Sequence, residues 1–230
     1  MSEEKIILQL IIVRHARSWG NVDNEKYSRE LGYYKEDPPL SDMGLLQAKL
    51  LGDRLAMGHI DALFSSPLTR TIETAHEIAS AREDNLSIFC LADLLECDTL
   101  PGFAGCSHEK IHRLFPEVIP EISEPTITGG MLSLSAETPE SKKERASRVV
   151  NYMKKNYCNG ETVVLVTHGG FIEYLVRNIL GIADHEGYRI SSNNSSVTKF
   201  KFYDNGKVKQ SYANDTSHLY ILEKDMAFTI

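Results

Sequence analysis

Leu8-Gln9-Leu10-Ile11-Ile12-Val13 runs directly into Arg14-His15, and Val163-Val164-Leu165-Val166 runs through Thr167 into His168-Gly169-Gly170. Two strand-like segments far apart in the chain are thus each closed by a histidine. In an open parallel sheet, ligands bind beyond the carboxyl ends of neighbouring strands, so this repetition predicts that both imidazoles and the Arg14 guanidinium face one crevice. A crevice of that kind suits a phosphoryl group.

Working outward, apolar runs alternate with longer amphipathic stretches, the pattern of helices covering both faces of a sheet. The fold class predicted is α/β: a three-layer α/β/α sandwich with a mainly parallel sheet and a lid insertion. Strands are expected near Leu8 to Val13, Ala62 to Ser65, Ser87 to Leu91 and Thr162 to Val166. Helices are expected over Leu45 to Met57 after Ser41-Asp42, over Pro67 to Ala79 with a proline in the first turn, and over Phe171 to Leu180. Ser141 and Glu144 read as a capping box opening a helix that reaches about Tyr157. Val197 to Tyr203 and Val208 to Tyr212 flank the turn signal Asp204-Asn205-Gly206, which predicts a hairpin. One stretch breaks the alternation. From Cys97 to Glu140 the chain is rich in Pro, Gly, Ser and Thr, with a helical hint around His108 to Phe115, and it is read as a lid over about 97–140 within a single domain spanning 1–230.

The 230 residues carry a formal charge of −7. That balance argues against a nucleic-acid or anionic-membrane partner, so positive charge in one pocket acts locally on a small phosphorylated substrate. The N-terminal apolar run is too short to cross a bilayer and lacks the flanks of a secretory signal, which makes the cytoplasm the default location. Cys90, Cys97, Cys106 and Cys158 show no CxxC spacing and are read as free thiols, and no metal-ligand cluster or cofactor motif is evident. The chain is compatible with assembly as a homodimer.

The chemistry follows from residue types. A neutral histidine can attack phosphorus if nearby cations neutralise the phosphoryl oxygens as the bond forms, and Arg14 is adjacent to His15. Ser65-Ser66-Pro67-Leu68-Thr69-Arg70 follows the second strand, so Arg70 should leave the first helical turn at the same sheet edge, bringing a planar fork that bonds two oxygens at once. His168 would add a donor, and the glycines after it permit close approach of backbone to ligand. Proton transfer to the leaving alcohol needs an acid. Glu96, at the start of the proposed lid, is the best placed, with Asp98 and Glu109 as rivals.

Arg14-His15-Ala16-Arg17-Ser18-Trp19-Gly20-Asn21 resembles the signature of the histidine phosphatase superfamily, in the branch that contains cofactor-dependent phosphoglycerate mutases. The resemblance extends through Leu40-Ser41-Asp42-Met43-Gly44, Ser65 to Arg70, Thr74-Ala75, Leu95-Glu96, Thr167 to Gly170 and Asn194-Ser195-Ser196-Val197, in family order along nearly the whole chain. It implies that His15 becomes phosphorylated, that Arg14, Arg70 and His168 bind the phosphoryl group, that Glu96 gives and takes the proton, and that Asn21 lines the phosphate pocket. Arg17, Ser18 and Gly169 are assigned to substrate binding alongside Asn21.

Two positions depart from the family pattern: Ala16, where glycine is usual, and Arg17, where Glu or Gln is usual. Alanine is harmless at negative φ and strained at positive φ. Arg17 would supply another phosphate contact or point to a lid carboxylate.

The resulting expectation is a metal-independent phosphomonoesterase working through phosphohistidine. Phosphoglycerate mutase-type transfer and a catalytically silent phospholigand-binding protein are the alternatives. A mutase must hold a multiply anionic bisphosphate while it reorients, yet 97–140 offers only Lys110 and Arg113 against Asp98, Glu109, Glu117, Glu121, Glu124, Glu137 and Glu140. Phe103, Phe115, Ile119 and Met131 form either an apolar wall for the leaving group or the lid's own core.

Overall fold

A computed structural model describes residues 4–33, 35–98, 111, 113–116, 118–120, 137–183 and 188–223. Seven strands form one sheet: β1 (Ile6–Arg14), β2 (Ala62–Ser65), β3 (Ile88–Cys90), β4 (Val118–Pro120), β5 (Glu161–Thr167), β6 (Val197–Tyr203) and β7 (Val208–Asp215), in spatial order β4-β3-β2-β5-β1-β6-β7. The first five in that order are mutually parallel, while β6 runs antiparallel to β1, and β7 antiparallel to β6. The mainly parallel α/β sandwich expected from the alternation is the fold observed.

Side-chain alternation along the strands divides the core in two. Ile11, Val13, Leu63, Val164 and Val166 pack on one face with Leu51 and Leu55 of α2 (Asp42–Ala56) and Ile72, Ala75 and Ile78 of α3 (Thr69–Ser80). Leu10, Ile12, Phe64, Val163 and Leu165 pack on the other with Val149 and Met153 of α4 (Pro139–Asn156) and Phe171 and Leu175 of α5 (Gly169–Leu180). Phe64, Phe171 and Phe200 are almost wholly buried, and each contributes about 1.5–3 kcal/mol by leaving water. Layering of this kind leaves only the strand ends open, which is where the chemistry-bearing residues collect.

Local chemistry shifts some boundaries. The long helix begins at Pro139, with Thr138 as its N-cap: Thr138 Oγ1 accepts from the Ser141 amide at 3.2 Å and Ser141 Oγ accepts from the Thr138 amide at 2.9 Å. The capping box is therefore Thr138 with Ser141, not Ser141 with Glu144, because Pro139 is preorganised for the first turn. Likewise, α3 starts at Thr69 and leaves Pro67 outside, since its first turn is capped by the remote carboxylate of Asp37 (Thr69 N to Asp37 Oδ1, 2.7 Å). Helix α1 (Asn24–Leu31) buries no residue and so has no apolar stripe for periodicity to detect; Asp23 caps it and Gly32 ends it at φ +67°. The hairpin after Tyr203 is present, with Gly206 at φ +82°. Among the described residues no helix is long and apolar enough to cross a membrane, and Cys90, Cys97 and Cys158 are free thiols.

Most of the proposed lid, including Phe103, Glu109, Lys110 and Met131, lies outside the described residues, as do Cys106 and the side chain of Ile119. Ile111, Arg113 and Leu114 are helical, and Phe115 packs against the core beside the His76 ring, 5.3 Å between centroids. Asp98 turns outward at φ +58°.

Candidate active site

Register brings the two histidines together. Arg14 of β1 pairs with Thr167 of β5, so His15 and His168 leave adjacent parallel strands at the same level, their ring centroids 5.2 Å apart. The ladder continues one step further, with the His15 amide donating to Thr167 O at 2.9 Å and the Ser66 amide to Val166 O at 3.0 Å. On the opposite side the Ser195 amide and Asn194 Nδ2 both donate to His15 O, at 3.2 and 3.1 Å. To do so Ser195 adopts φ +62°, an uncommon conformation for a non-glycine residue, and its Oγ contacts Gln47 O and the His218 ring.

His15 is only 4% exposed, and its Nδ1 lies 2.7 Å from Ala16 O. A carbonyl can only accept, so Nδ1 carries the proton and Nε2 keeps its lone pair. Burial first, then the charges of Arg70 and Arg14, hold the imidazole neutral by pushing its pKa well below the ordinary 6.5. His168, fully buried as the N-cap of α5, is held neutral by the same causes in the same order of kind, burial and then Arg70. Ser66 Oγ sits 2.8 Å from His168 Nε2, and a hydroxyl donating there leaves the ring proton on Nδ1.

Three buried nitrogens, Arg14 Nε, Arg70 Nη1 and His168 Nδ1, have no hydrogen-bond partner among the described residues. Arg14 is anchored by Nη1 to Ser192 O at 2.5 Å, and Gly169 makes room for it, since a Cβ there would lie 3.3 Å from Arg14 Nε. Arg70 lies 4.0 Å from Asp37 Oδ1, within Coulombic reach but beyond a hydrogen bond. Burial lowers the pKa of both guanidiniums and Glu96 raises both, so the carboxylate shares their neighbourhood. Unpaired buried donors are costly to keep, and here two belong to the arginines whose charges act on His15 and the third to the ring 5.2 Å from it.

Glu96 accepts from three backbone amides: its own neighbour Cys97 at 2.8 Å, and Gly170 and Phe171 in the first turn of α5 at 3.3 and 3.1 Å. Asp98, a rival for the acid role, is paired with Lys142 Nζ at 2.7 Å.

The remaining sequence candidates divide. Asn21 is exposed and its Oδ1 collects the Ser18 amide, the Ser18 hydroxyl and Asn194 Nδ2, at 3.1, 3.0 and 3.3 Å, which ties it to the loop behind His15. Ser18 is thereby engaged with Asn21 and is 2% exposed. Arg17 fixes the loop through its backbone, accepting from Ser41 and donating to Gln47 Oε1. Ala16 has negative φ, is wholly buried, and donates to Thr74 Oγ1 at 3.1 Å, so alanine in place of the usual glycine introduces no backbone strain. Sequence reading gave no role to Asp37, which caps α3 beneath Arg70, or to Ser66 and Ser195. Ser66 and Ser195 lie within quoted motif segments, but what each one touches cannot be read locally, because the partners of Asp37, Ser66 and Ser195 lie 32, 102 and 148 positions away in the chain.

Among the described residues, no group of three or more His, Cys, Asp or Glu side chains is placed to hold a metal ion.

Phosphoserine phosphatase 1 of Hydrogenobacter thermophilus is 32% identical over 197 residues, covering 84% of this chain and 85% of that protein. Phosphoglycerate mutase-like protein 4 of Arabidopsis thaliana is 27% identical over 224 residues, covering 95% and 90%. In fold, the chain is similar to a phosphoserine phosphatase from Entamoeba histolytica solved in complex with 3-phosphoglyceric acid (TM-score 0.59, 23% identity, 93% of this chain and 100% of that one). The pattern defining the histidine phosphatase superfamily (branch 1) matches residues 10–215, and the chain belongs to that family.

Proposed function

We propose that this protein is a metal-independent phosphomonoesterase that transfers the phosphoryl group of a small phosphorylated metabolite to His15 and then to water. The observation that carries the reading is the constellation of buried, unpaired donors on Arg14, Arg70 and His168 around an imidazole whose protonated Nδ1 is tied to Ala16 O. In the first step His15 Nε2 forms a bond to phosphorus, the ester P–O bond breaks, and Glu96 gives its proton to the leaving oxygen. In the second, water attacks phosphorus, the P–N bond breaks, and the water proton passes to Glu96. The arginines and His168 supply the charge stabilisation. A cage of fixed donors acts without solvent reorganisation, which is why it can serve in place of a divalent ion.

Hydrolysis rather than internal transfer is supported by the composition of the insertion, whose sequence holds two cations, Lys110 and Arg113, and seven carboxylates. Of those, Asp98 and Glu137 are engaged by Lys142 and Arg145. The name of the Hydrogenobacter relative makes phosphoserine the first metabolite to test. The mutase reading draws on the Arabidopsis relative, and one experiment separates the two. Inorganic phosphate release from phosphoserine and phenyl phosphate, lost in His15→Ala and unaffected by a chelator, supports the phosphatase. Positional exchange on phosphoglycerate primed with its bisphosphate, without net phosphate release, overturns it.

A further inference from the structure

Arg145, on α4, is 2% exposed and reaches beneath the segment that presents Glu96. Its Nη1 donates to Asp93 O at 2.9 Å and Leu95 O at 2.7 Å, and Leu95 immediately precedes Glu96. Its Nε and Nη2 form a two-pronged pair with Glu137, at 2.8 and 2.9 Å, and Nη2 lies 3.9 Å from Cys97 Sγ. The guanidinium carbon stands 4.0 Å from the centroid of the Phe171 ring, and the Phe171 amide binds the Glu96 carboxylate. One buried cation therefore holds the backbone on one side of Glu96 and the ring of the residue that orients it on the other. Glu137 also accepts the Asp98 amide at 3.3 Å, while Lys142 pairs with the Asp98 carboxylate, so Asp98 and Glu137 meet in the same cluster.

A largely buried ion pair is weak as a stabilising device, because desolvation offsets most of the attraction; what it fixes well is direction. We infer that Arg145 is a positioning residue for proton transfer by Glu96, anchored through Glu137 to the base of the insertion. The inference rests on the reading of Glu96 as the group that protonates the leaving oxygen. Arg145 makes no hydrogen bond to Arg14, Arg70 or His168, although its charge is among those that hold the His168 ring neutral.

Such a role has a signature that a purely structural one lacks. A good leaving group departs without a proton, whereas a basic one needs it, so loosening the acid steepens the dependence of kcat/KM on leaving-group basicity. The test compares para-nitrophenyl phosphate with phenyl phosphate in wild type, Arg145→Met, Arg145→Met/Glu137→Leu, Glu96→Gln and the Glu96→Gln/Arg145→Met combination. The Arg145→Met/Glu137→Leu protein removes both buried charges together and carries the measurement if Arg145→Met alone does not fold. The result expected is a fall of about tenfold or more on phenyl phosphate, within about threefold on the nitrophenyl ester, and no additional loss when Glu96 is already Gln. An equal fall on both esters, or losses that add to those of Glu96→Gln, overturns the positioning role and leaves the reading of Glu96 intact. Absence of leaving-group selectivity in Glu96→Gln itself removes that reading and the role of Arg145 with it.

Discussion

Replacing Gly170 by alanine should separate the geometry of the acid from the stability of the fold. A Cβ at this position would stand 2.7 Å from Glu96 Oε1, and ordinary contact begins at 3.4 Å, so the carboxylate oxygen must recede by about 0.7 Å. The atom that has to move is the end of a flexible side chain, which makes the adjustment inexpensive in folding free energy. It is not inexpensive for catalysis, because a misplacement on the order of 1 Å can cost a hundredfold; a reduction of about 10- to 30-fold in kcat/KM on phenyl phosphate is expected. Stability moves the other way. Gly170 is exposed, has an ordinary φ and lies in the first turn of a helix, where alanine is favoured by about 0.5–1 kcal/mol. Steady-state kinetics on phenyl and para-nitrophenyl phosphate, set beside a denaturant melt, give both readouts from one preparation. A folded variant whose phenyl phosphate activity stays within about threefold of wild type would refute the argument that close approach of Glu96 to this helix positions the acid.

The same substitution at Gly44 should behave in the opposite way: its Cβ would meet Arg17 O at 1.9 Å, a backbone atom that cannot swing aside, so Gly44→Ala is expected to destabilise by about 1–3 kcal/mol in a denaturant melt. Asp37→Ala removes the cap of α3 and the charge beside Arg70, and should cost about 0.5–2 kcal/mol together with a roughly tenfold fall in kcat/KM; unchanged kinetics would show that Arg70 is held by other means. Because burial depresses the pKa of His15 and His168 well below 6.5 and that of His218 to about 4, the unfolded chain binds protons that the native state refuses once the pH drops below about 6.5. These groups thus contribute stability that is full above about pH 6.5 and declines as pH falls toward 4, so the denaturation midpoint should be lower at about pH 5 than at about pH 7; the reverse order would contradict the assigned neutral imidazoles.

How far the sequence discloses this molecule depends on whether a partner is near in the chain. The strands Leu8 to Val13 and Thr162 to Val166, their terminal histidines and the shared crevice are all readable, because apolar runs and the polar residues that end them are local features. The three-layer fold follows for the same reason. What escapes is set by contacts across the chain: Asp37 beneath Arg70 and Arg145 under Glu96 look like ordinary surface or loop residues, and the contact of Ser66 with His168 is invisible, until the sheet brings them together. The start of α3 is misread at Pro67 because its cap comes from Asp37, and the helix Asn24–Leu31 is missed because it buries nothing. Arg17 looks like one more phosphate ligand in the signature. In the structure its backbone braces Ser41 and Gln47, a role that side-chain chemistry alone does not advertise.

His15 must become covalently phosphorylated during turnover, and rapid quenching of the protein while it turns over phenyl phosphate tests this most directly. Phosphate that is stable to alkali, labile to acid and mapped to the peptide carrying His15, absent from His15→Ala and accumulating in Glu96→Gln, is the predicted result. A protein that releases phosphate while carrying none on His15, or carrying it on another residue, would contradict it.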